Sequence, residues 1–125
     1  MLYQKQIDVR YTADVLIVGG GAAGVAAAVS AARMGKKVLL CEANGCFGGM
    51  GTSGLVPAYA PFTDGENILA AGIGLEIRKN VSRNIPVETA WTRIDPEELK
   101  REYDRILTEA GVEFQFFTTL FDVLA

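Results

Sequence analysis

Three glycines and one glutamate are spaced as in sites that bind nucleotides. The glycines form Gly19-x-Gly21-x-x-Gly24, and Glu42 follows Gly24 by 18 positions. In such a motif the first glycine permits a tight turn between strand and helix. The second lets the backbone approach a diphosphate, and the third lets the helix pack closely against the strand. A carboxylate at Glu42 can accept hydrogen bonds from ribose hydroxyls, so the expected chemistry is binding of a dinucleotide.

The sequence around these residues predicts a strand, a helix and a second strand. Residues 13–19 (ADVLIVG) are typical of a strand buried on both faces, and a helix is predicted from Ala22 to Met34. Gly35 is predicted to end that helix, and residues 36–42 (KKVLLCE) to form the second strand. The N-terminus of a helix offers free N–H groups and a partial positive charge, which favour a bound phosphate. This unit is therefore suited to hold the diphosphate at its strand-to-helix turn.

The same stretch also has the length of a membrane span. Residues 15–32 contain eighteen consecutive uncharged positions, and basic residues precede them as in an export signal. Seven of the eighteen are alanine and four are glycine, so little apolar area would enter lipid. Three consecutive glycines interrupt any helix at its midpoint, and Asp8 and Asp14 lie where an export signal carries positive charge. We expect neither a membrane span nor a signal peptide.

The composition narrows the class of protein. The chain has 125 residues, a net charge of −3 and scattered Lys and Arg, which disfavours nucleic acid as a partner. It has no histidine and only two cysteines, Cys41 and Cys46, too few for a zinc site or a disulfide scaffold. Half of the residues are hydrophobic, as in globular domains. A single domain over residues 1–125, reduced and cytoplasmic, with no metal, is the expectation.

The long segment after Glu42 bears on the choice of dinucleotide. Residues 43–67 are rich in glycine and show no helical or strand period. Glycines at positions 48, 49, 51 and 54 allow close approach of the backbone to a ligand, and successive free N–H groups can bind an anion. A typical NAD domain would pass from the ribose-binding acid to a short loop and a helix. FAD is therefore favoured, and an NAD(P)-binding domain stays open as the alternative.

The pattern DVLIVGGGAAGVAAAVSAARMGKKVLLCEANGCFGGMGTSG resembles the N-terminal FAD-binding region of FAD-dependent oxidoreductases of the glutathione-reductase-like superfamily. A weaker resemblance continues through AAGIGLEI and DPEELKREYDRILTEAGVEF. It implies that Glu42 holds the adenosine ribose, that the glycine turn approaches the diphosphate and that Leu120 lies near the adenine. It also implies that the segment with Gly49, Met50, Thr52 and Ser53 runs along the diphosphate toward the isoalloxazine. The residues expected to bind FAD are Gly19, Gly21, Ala22, Ala23, Gly24, Glu42, Ala43, Gly48, Gly49, Met50, Thr52, Ser53 and Leu120.

Two features depart from that family. Its dithiol members carry a C-x4-C pair after the paired glycines, whereas Cys41 and Cys46 come before Gly48 and Gly49. We therefore expect Cys41 to be a buried apolar residue and Cys46 a loop residue. Family members are also several times longer and carry a later TGD-type segment. The chain is thus expected to be a partial FAD-binding domain, catalytically incomplete by itself.

The second half of the chain is expected to complete the fold. Residues 66–83 carry a broad apolar helical stripe. Asp95 and Pro96 mark the start of another helix, which Gly111 ends. Arg101, Glu102 and Arg105 are expected on the solvated face of this helix. Residues 112–117 (VEFQFF) are predicted to be a third strand, and TTLFDVLA the start of another. Trp91 is expected to be a core or lid residue rather than a ligand contact.

We therefore predict an α/β, Rossmann-like fold with a parallel sheet in the order 3-2-1 and helices on both faces. The predicted function is the FAD-binding part of an FAD-dependent oxidoreductase, in which no catalytic residue is identifiable. A different class of function is also open. The chain would then be a noncatalytic fragment that self-associates as a homo-oligomer through an exposed sheet edge.

Overall fold

Three short parallel strands form the main sheet. The structure is a computed structural model and describes residues 4–56, 58–82 and 91–124. The strands are β1 (Val15–Val18), β2 (Val38–Cys41) and β5 (Glu113–Gln115). They lie in the order β1-β2-β5. The numbers β3 and β4 belong to a small second sheet, described below. Because β5 is the third predicted strand, the predicted order 3-2-1 is confirmed, as is the α/β class.

The register of this sheet sorts its residues onto two faces. Val15 pairs with Val38 and Ile17 with Leu40, and paired residues of parallel strands point to the same side. These four residues belong to the hydrophobic core or pack against it. β5 is shorter than the predicted strand 112–117, since it ends at Gln115; two residues later Phe117 has a positive φ (52°), which a strand does not contain.

Three helices belong to the same layered structure. They are α1 (Ala22–Arg33), α2 (Ile73–Val81) and α3 (Pro96–Glu109). As predicted, Asp95 caps α3: its Oδ1 accepts hydrogen bonds from the N–H groups of Glu97 (2.8 Å) and Glu98 (3.2 Å). Gly35 and Gly111 follow α1 and α3 with positive φ, as expected of glycines that end helices.

α2 is shorter than the apolar stripe from which it was predicted. The stripe spans residues 66–83, whereas the helix begins at Ile73, and position 83 lies outside the described residues. Gly72 stands directly before the helix with a φ of 67°, which is not helical. Residues 64–67 instead form a turn closed by Asp64, whose Oδ1 accepts hydrogen bonds from two backbone N–H groups.

The helices differ from the prediction in their placement. All three contribute to the core that covers the face of Ile17 and Leu40, and they contact one another. On the opposite face, Leu16 is 56% exposed and Val18 is 47% exposed. The helices after β2 pack their apolar stripes on α1 rather than crossing to that second face. The predicted homo-oligomer through an exposed sheet edge stays a prediction.

Two further segments differ from expectation. Residues 118–124, predicted as the start of a strand, form neither strand nor helix; position 125 lies outside the described residues. Residues 58–59 and 92–93 form an unpredicted pair of antiparallel strands, β3 (Ala58–Tyr59) and β4 (Thr92–Arg93). Trp91, next to β4, is 69% exposed and is not a core residue.

Two charged side chains of α2 and α3 are buried. Arg78 is fully buried, donates from Nη2 to Thr92 Oγ1 (2.7 Å) and lies 4.8 Å from the centre of the Phe62 ring. It therefore ties α2 to the second sheet. Glu102 was expected on a solvated face but is buried, where it accepts hydrogen bonds from Asn80 and Arg105. Those donors offset the cost of burying the charge.

The uncharged stretch 15–32 is divided between two elements. Its first part is β1 and its second part lies in α1, with the glycine turn between them. Within the part of the chain that the structure describes, no helix is both long and apolar enough to cross a membrane.

Candidate functional site

The turn between β1 and α1 has the geometry that its glycines predict. Gly19 has a φ of 96°, a backbone conformation that residues other than glycine rarely adopt. Its N–H donates a hydrogen bond to Cys41 O (2.8 Å). An added Cβ at Gly24 would lie 1.8 Å from Gly19 O. Helix and turn thus approach each other so closely that only glycine fits at position 24.

Gly21 has the opposite surroundings. An added Cβ there would meet no other heavy atom within 4 Å, so its side is open. Gly21 stands just before α1, whose first turn begins with Ala22 and Ala23, both exposed. The first N–H groups of an α-helix have no partner within the helix, and here they border this open space. The surroundings of Gly21 therefore leave room for a diphosphate at the helix N-terminus.

Glu42 lies beside the same turn and is largely buried, with 7% of its surface exposed. Its Oε2 accepts a hydrogen bond from Gly20 N–H (2.6 Å). Its Oε1 accepts two from Asn44, one from the backbone N–H and one from the side-chain amide, both at 2.7 Å. Burial acts to raise the pKa of this carboxyl group, but the hydrogen bonds from Asn44 and Gly20 outweigh burial. The pKa of Glu42 lies below its ordinary value.

The lowered pKa of Glu42 predicts that the stability of the chain depends on pH in the acid range. A carboxyl group whose pKa falls on folding contributes stability above its unfolded-state pKa, near 4.5, and loses it as pH falls through the folded-state pKa. Without ligand, Glu42→Gln is expected to lower the free energy of unfolding by about 1 to 3 kcal/mol at pH 7. The deficit relative to wild type should shrink steadily below about pH 4.5. Urea unfolding of both proteins at pH 7, 5, 4 and 3 measures this difference in the free energy of unfolding.

The matched control for this prediction is Glu66→Gln. Glu66 is exposed on the turn of residues 64–67, so its replacement should change stability by less than about 0.5 kcal/mol at each pH. A deficit for Glu42→Gln that is equally large at pH 3 and pH 7 would contradict the role given to the ionised carboxylate.

The second glycine segment lies against the first. Gly48 N–H donates to Gly20 O (2.8 Å), and Gly48 forms a parallel bridge with Gly21. A single 3₁₀ turn, Gly49–Gly51, follows. The sequence predicts no regular structure here. The segment is nonetheless brought against the turn of Gly19–Gly21, and its role along the diphosphate stays a prediction.

Met50, Thr52 and Ser53, the other predicted contacts of this segment, differ in burial. Met50 and Ser53 are exposed, and Ser53 Oγ lies 3.3 Å from Gly49 O. Thr52 is fully buried, and its Oγ1 donates to Phe47 O (2.6 Å). The Thr52 side chain thus faces the interior, where it holds the loop, and we leave it out of the proposed contacts with the diphosphate.

A cavity of about 290 Å³ opens where β1 and β2 end. This is the sheet edge where α/β folds bind their ligands. Leu120, predicted near the adenine, lines it together with Ala43 and Glu42. The remaining lining residues are Val18, Gly19, Cys41, Thr118 and Thr119. The structure therefore brings the residues predicted for the ribose and for the adenine to one cavity.

The sequence did not single out three residues that shape this site. Phe47 is fully buried among Phe114 and Phe116, and an added Cβ at Gly20 would lie 2.4 Å from its ring. Asn44 binds the Glu42 carboxylate, and Phe117 lies over Gly45. The one signal that points to such contacts is Gly20 itself, since the motif does not require glycine at that position.

The two cysteines are free thiols. Cys41 ends β2 and is half-buried, and burial raises the pKa of its thiol. Cys46 lies in the loop, as predicted. The thiol of Cys41 is protonated at neutral pH, as suits an apolar residue, but Cys41 is half-buried and lines the cavity rather than being buried as predicted.

These features define a Rossmann-like nucleotide-binding unit: a glycine turn, a helix N-terminus and a carboxylate at the carboxyl edge of a parallel sheet. Residues 14–125 match the family model described as FAD dependent oxidoreductase. The chain belongs to this family, and FAD is its cofactor. The family favours FAD over the NAD(P) alternative.

Two curated relatives share part of this chain. The tRNA uridine 5-carboxymethylaminomethyl modification enzyme MnmG of Aliarcobacter butzleri is 32% identical over 103 residues, which covers 74% of this chain and 16% of that protein. The cinnamate reductase of Clostridium sporogenes is 44% identical over 76 residues, covering 54% of this chain and 11% of the reductase. The chain thus spans less than a fifth of the length of either relative.

Solved structures share the fold at low identity. THI4 of Thermovibrio ammonificans matches with a TM-score of 0.56 and 21% identity, over 83% of this chain and 38% of that one. A geranylgeranyl bacteriochlorophyll reductase-like protein of Thermoplasma acidophilum matches with a TM-score of 0.53 and 20% identity, over 84% and 30%. These likenesses confirm the Rossmann-like fold.

Proposed function

We propose that this chain binds the ADP half of FAD in a protein that carries out an oxidation or a reduction. The observation that carries the proposal is the combination of an open Gly21 and a charged Glu42 at one edge of the sheet. Bound flavin supplies the electron chemistry in such proteins, while the protein orients it. The part assigned to this chain is to hold the cofactor.

The residues present fit the ADP half of FAD in charge and shape. The N-terminus of α1 carries no acidic residue in its first turn, so no side-chain charge there opposes a diphosphate. Glu42 has a pKa below its ordinary value and is thus charged at neutral pH, and both oxygens of a carboxylate can accept hydrogen bonds from ribose hydroxyls. The proposed diphosphate contacts are Gly19, Gly21, Ala22, Ala23, Gly24, Gly48, Gly49, Met50 and Ser53. The proposed adenosine contacts are Glu42, Ala43 and Leu120.

The two relatives also support the proposal that this chain holds the cofactor and does not contact the substrate. By their names, one modifies tRNA uridine and the other reduces cinnamate, yet both match this chain, over 103 and 76 residues. A segment shared by proteins with such different substrates is best explained by the cofactor that their family has in common. We therefore assign no substrate contact to the described residues. We also propose a cytoplasmic location, since both thiols are free.

The experiment for this proposal is a visible absorption spectrum of the purified chain, before and after incubation with FAD and removal of excess. We expect flavin bands to be retained by wild type and lost in Glu42→Ala, because removal of the carboxylate takes away the ribose contact and the partner of Gly20 N–H. Glu66→Ala, at an exposed carboxylate, is the control and should retain the bands. A folded wild-type chain that takes up no FAD would overturn the proposal.

A further inference from the structure

The loop after Glu42 is held by residues outside the glycine motif. The first of two such residues is Asn44, two positions after Glu42. Its backbone N–H and its side-chain amide both donate to Glu42 Oε1, each at 2.7 Å. Oε2 accepts instead from Gly20 N–H, on the side of the nucleotide turn. Asn44 therefore occupies the carboxylate oxygen that faces the loop and leaves Oε2 beside the proposed site.

Phe117 is the second such residue and approaches the loop from the end of β5. Its N–H lies 3.3 Å from Asn44 O, and the next N–H, of Thr118, donates to Glu42 O at 3.0 Å. An added Cβ at Gly45 would lie 2.8 Å from Phe117 Cζ, so the ring rests directly on the loop backbone. The loop is thus fixed from inside by Asn44 and from outside by Phe117.

The backbone of Phe117 is unusual for an aromatic residue. Its φ is 52°, a region that costs residues other than glycine about 1 kcal/mol or more. The ring is 81% exposed, so burial offsets little of that cost. A glycine would end β5 at lower cost if the turn alone were needed. The contact with Gly45 is what the phenyl ring adds.

We propose that Asn44 and Phe117 are positioning residues that orient Glu42 so that its Oε2 accepts a hydrogen bond from one ribose hydroxyl of the adenosine. This inference rests on the proposed binding of FAD and deepens it. Asn44 acts by holding Oε1, and Phe117 acts by holding the backbone of residues 43–45 against the end of β5. Neither residue is proposed to touch the nucleotide.

The test is titration of the full chain with ADP, 2′-deoxy-ADP and 3′-deoxy-ADP by calorimetry. Wild type is expected to bind ADP about tenfold more tightly than one of the deoxy analogues, as a lost hydrogen bond to a charged group implies. Asn44→Ala should weaken the binding of ADP by a similar factor. It should change the affinity for the weaker-binding deoxy analogue by less than about twofold. Phe117→Ala should show the same selective loss. Asn67→Ala, at an exposed asparagine on the turn of residues 64–67, should change neither affinity.

The outcomes separate the two proposals. If wild type binds neither FAD nor ADP, the proposed function fails and this inference falls with it. If wild type binds ADP without distinguishing either deoxy analogue, binding stands and the contact from Oε2 is overturned. Equal weakening of all three ligands by Asn44→Ala and Phe117→Ala, with lowered melting temperatures, would show a purely structural role and overturn the inference as well.

Discussion

Gly21→Val is expected to abolish retention of FAD while the chain stays folded. An added Cβ at this position meets no other heavy atom within 4 Å, and the backbone (φ −67°, ψ 178°) is open to any residue. The new methyl groups would occupy the space assigned to the diphosphate instead of space inside the protein. We expect affinity for FAD to fall at least about a hundredfold, since several hydrogen bonds of about 1 kcal/mol each are lost. Equilibrium dialysis and thermal melting of the same samples measure both effects.

Ala27→Val is the control for this replacement. It makes the same kind of change on the exposed side of α1, away from the turn. It should cost no more than about 0.7 kcal/mol in helix propensity and leave FAD binding unchanged. If Gly21→Val bound FAD as well as wild type and Ala27→Val do, the open side of Gly21 would not be the diphosphate site.

Gly24→Ala is expected to have the largest effect on stability. The single added carbon would lie 1.8 Å from Gly19 O and 3.0 Å from Gly19 C, so backbone atoms must move. Overpacking against backbone costs about 3 kcal/mol or more, which exceeds the gain of about 1 kcal/mol in helix propensity. The melting temperature should fall by roughly 10 °C, and chemical unfolding without ligand gives the free energy directly.

The control is the same replacement in another helix. An added Cβ at Gly74, in α2, would meet only Phe62 at 3.8 Å, which is ordinary van der Waals contact. Gly74→Ala should therefore raise stability, by up to about 1 kcal/mol. A Gly24→Ala protein as stable as Gly74→Ala would show that α1 and the turn are not in the close contact described here. The replacements at Gly21 and Gly24 thus separate binding from folding within one motif.

Much of the unit around the glycine turn could be predicted because its signals are local. β1, α1 and β2 follow from an apolar run, a glycine turn and a second apolar run. The start of α3 follows from Asp95 and Pro96, whose effects reach only three residues along the chain. The ribose-binding role of Glu42 was inferred from its distance along the sequence to the glycines.

Elements that depend on distant partners were predicted less well. Glu102 was expected on a solvated face, yet it is buried and accepts a hydrogen bond from Asn80 of α2. Asn80 lies 22 positions earlier in the chain, and the residues next to Glu102 in the sequence do not indicate this contact.

The sequence by itself determined the class of site, because a glycine motif, a helix start and a carboxylate at the end of a strand lie within thirty residues. Only the tertiary structure decided how that carboxylate is held. Asn44 and Phe117 meet at Glu42 because β5, more than seventy positions further along the chain, pairs with β2. Which side chains such a pairing brings together depends on register and on strand ends, and here the left-handed backbone of Phe117 comes two residues after the end of β5.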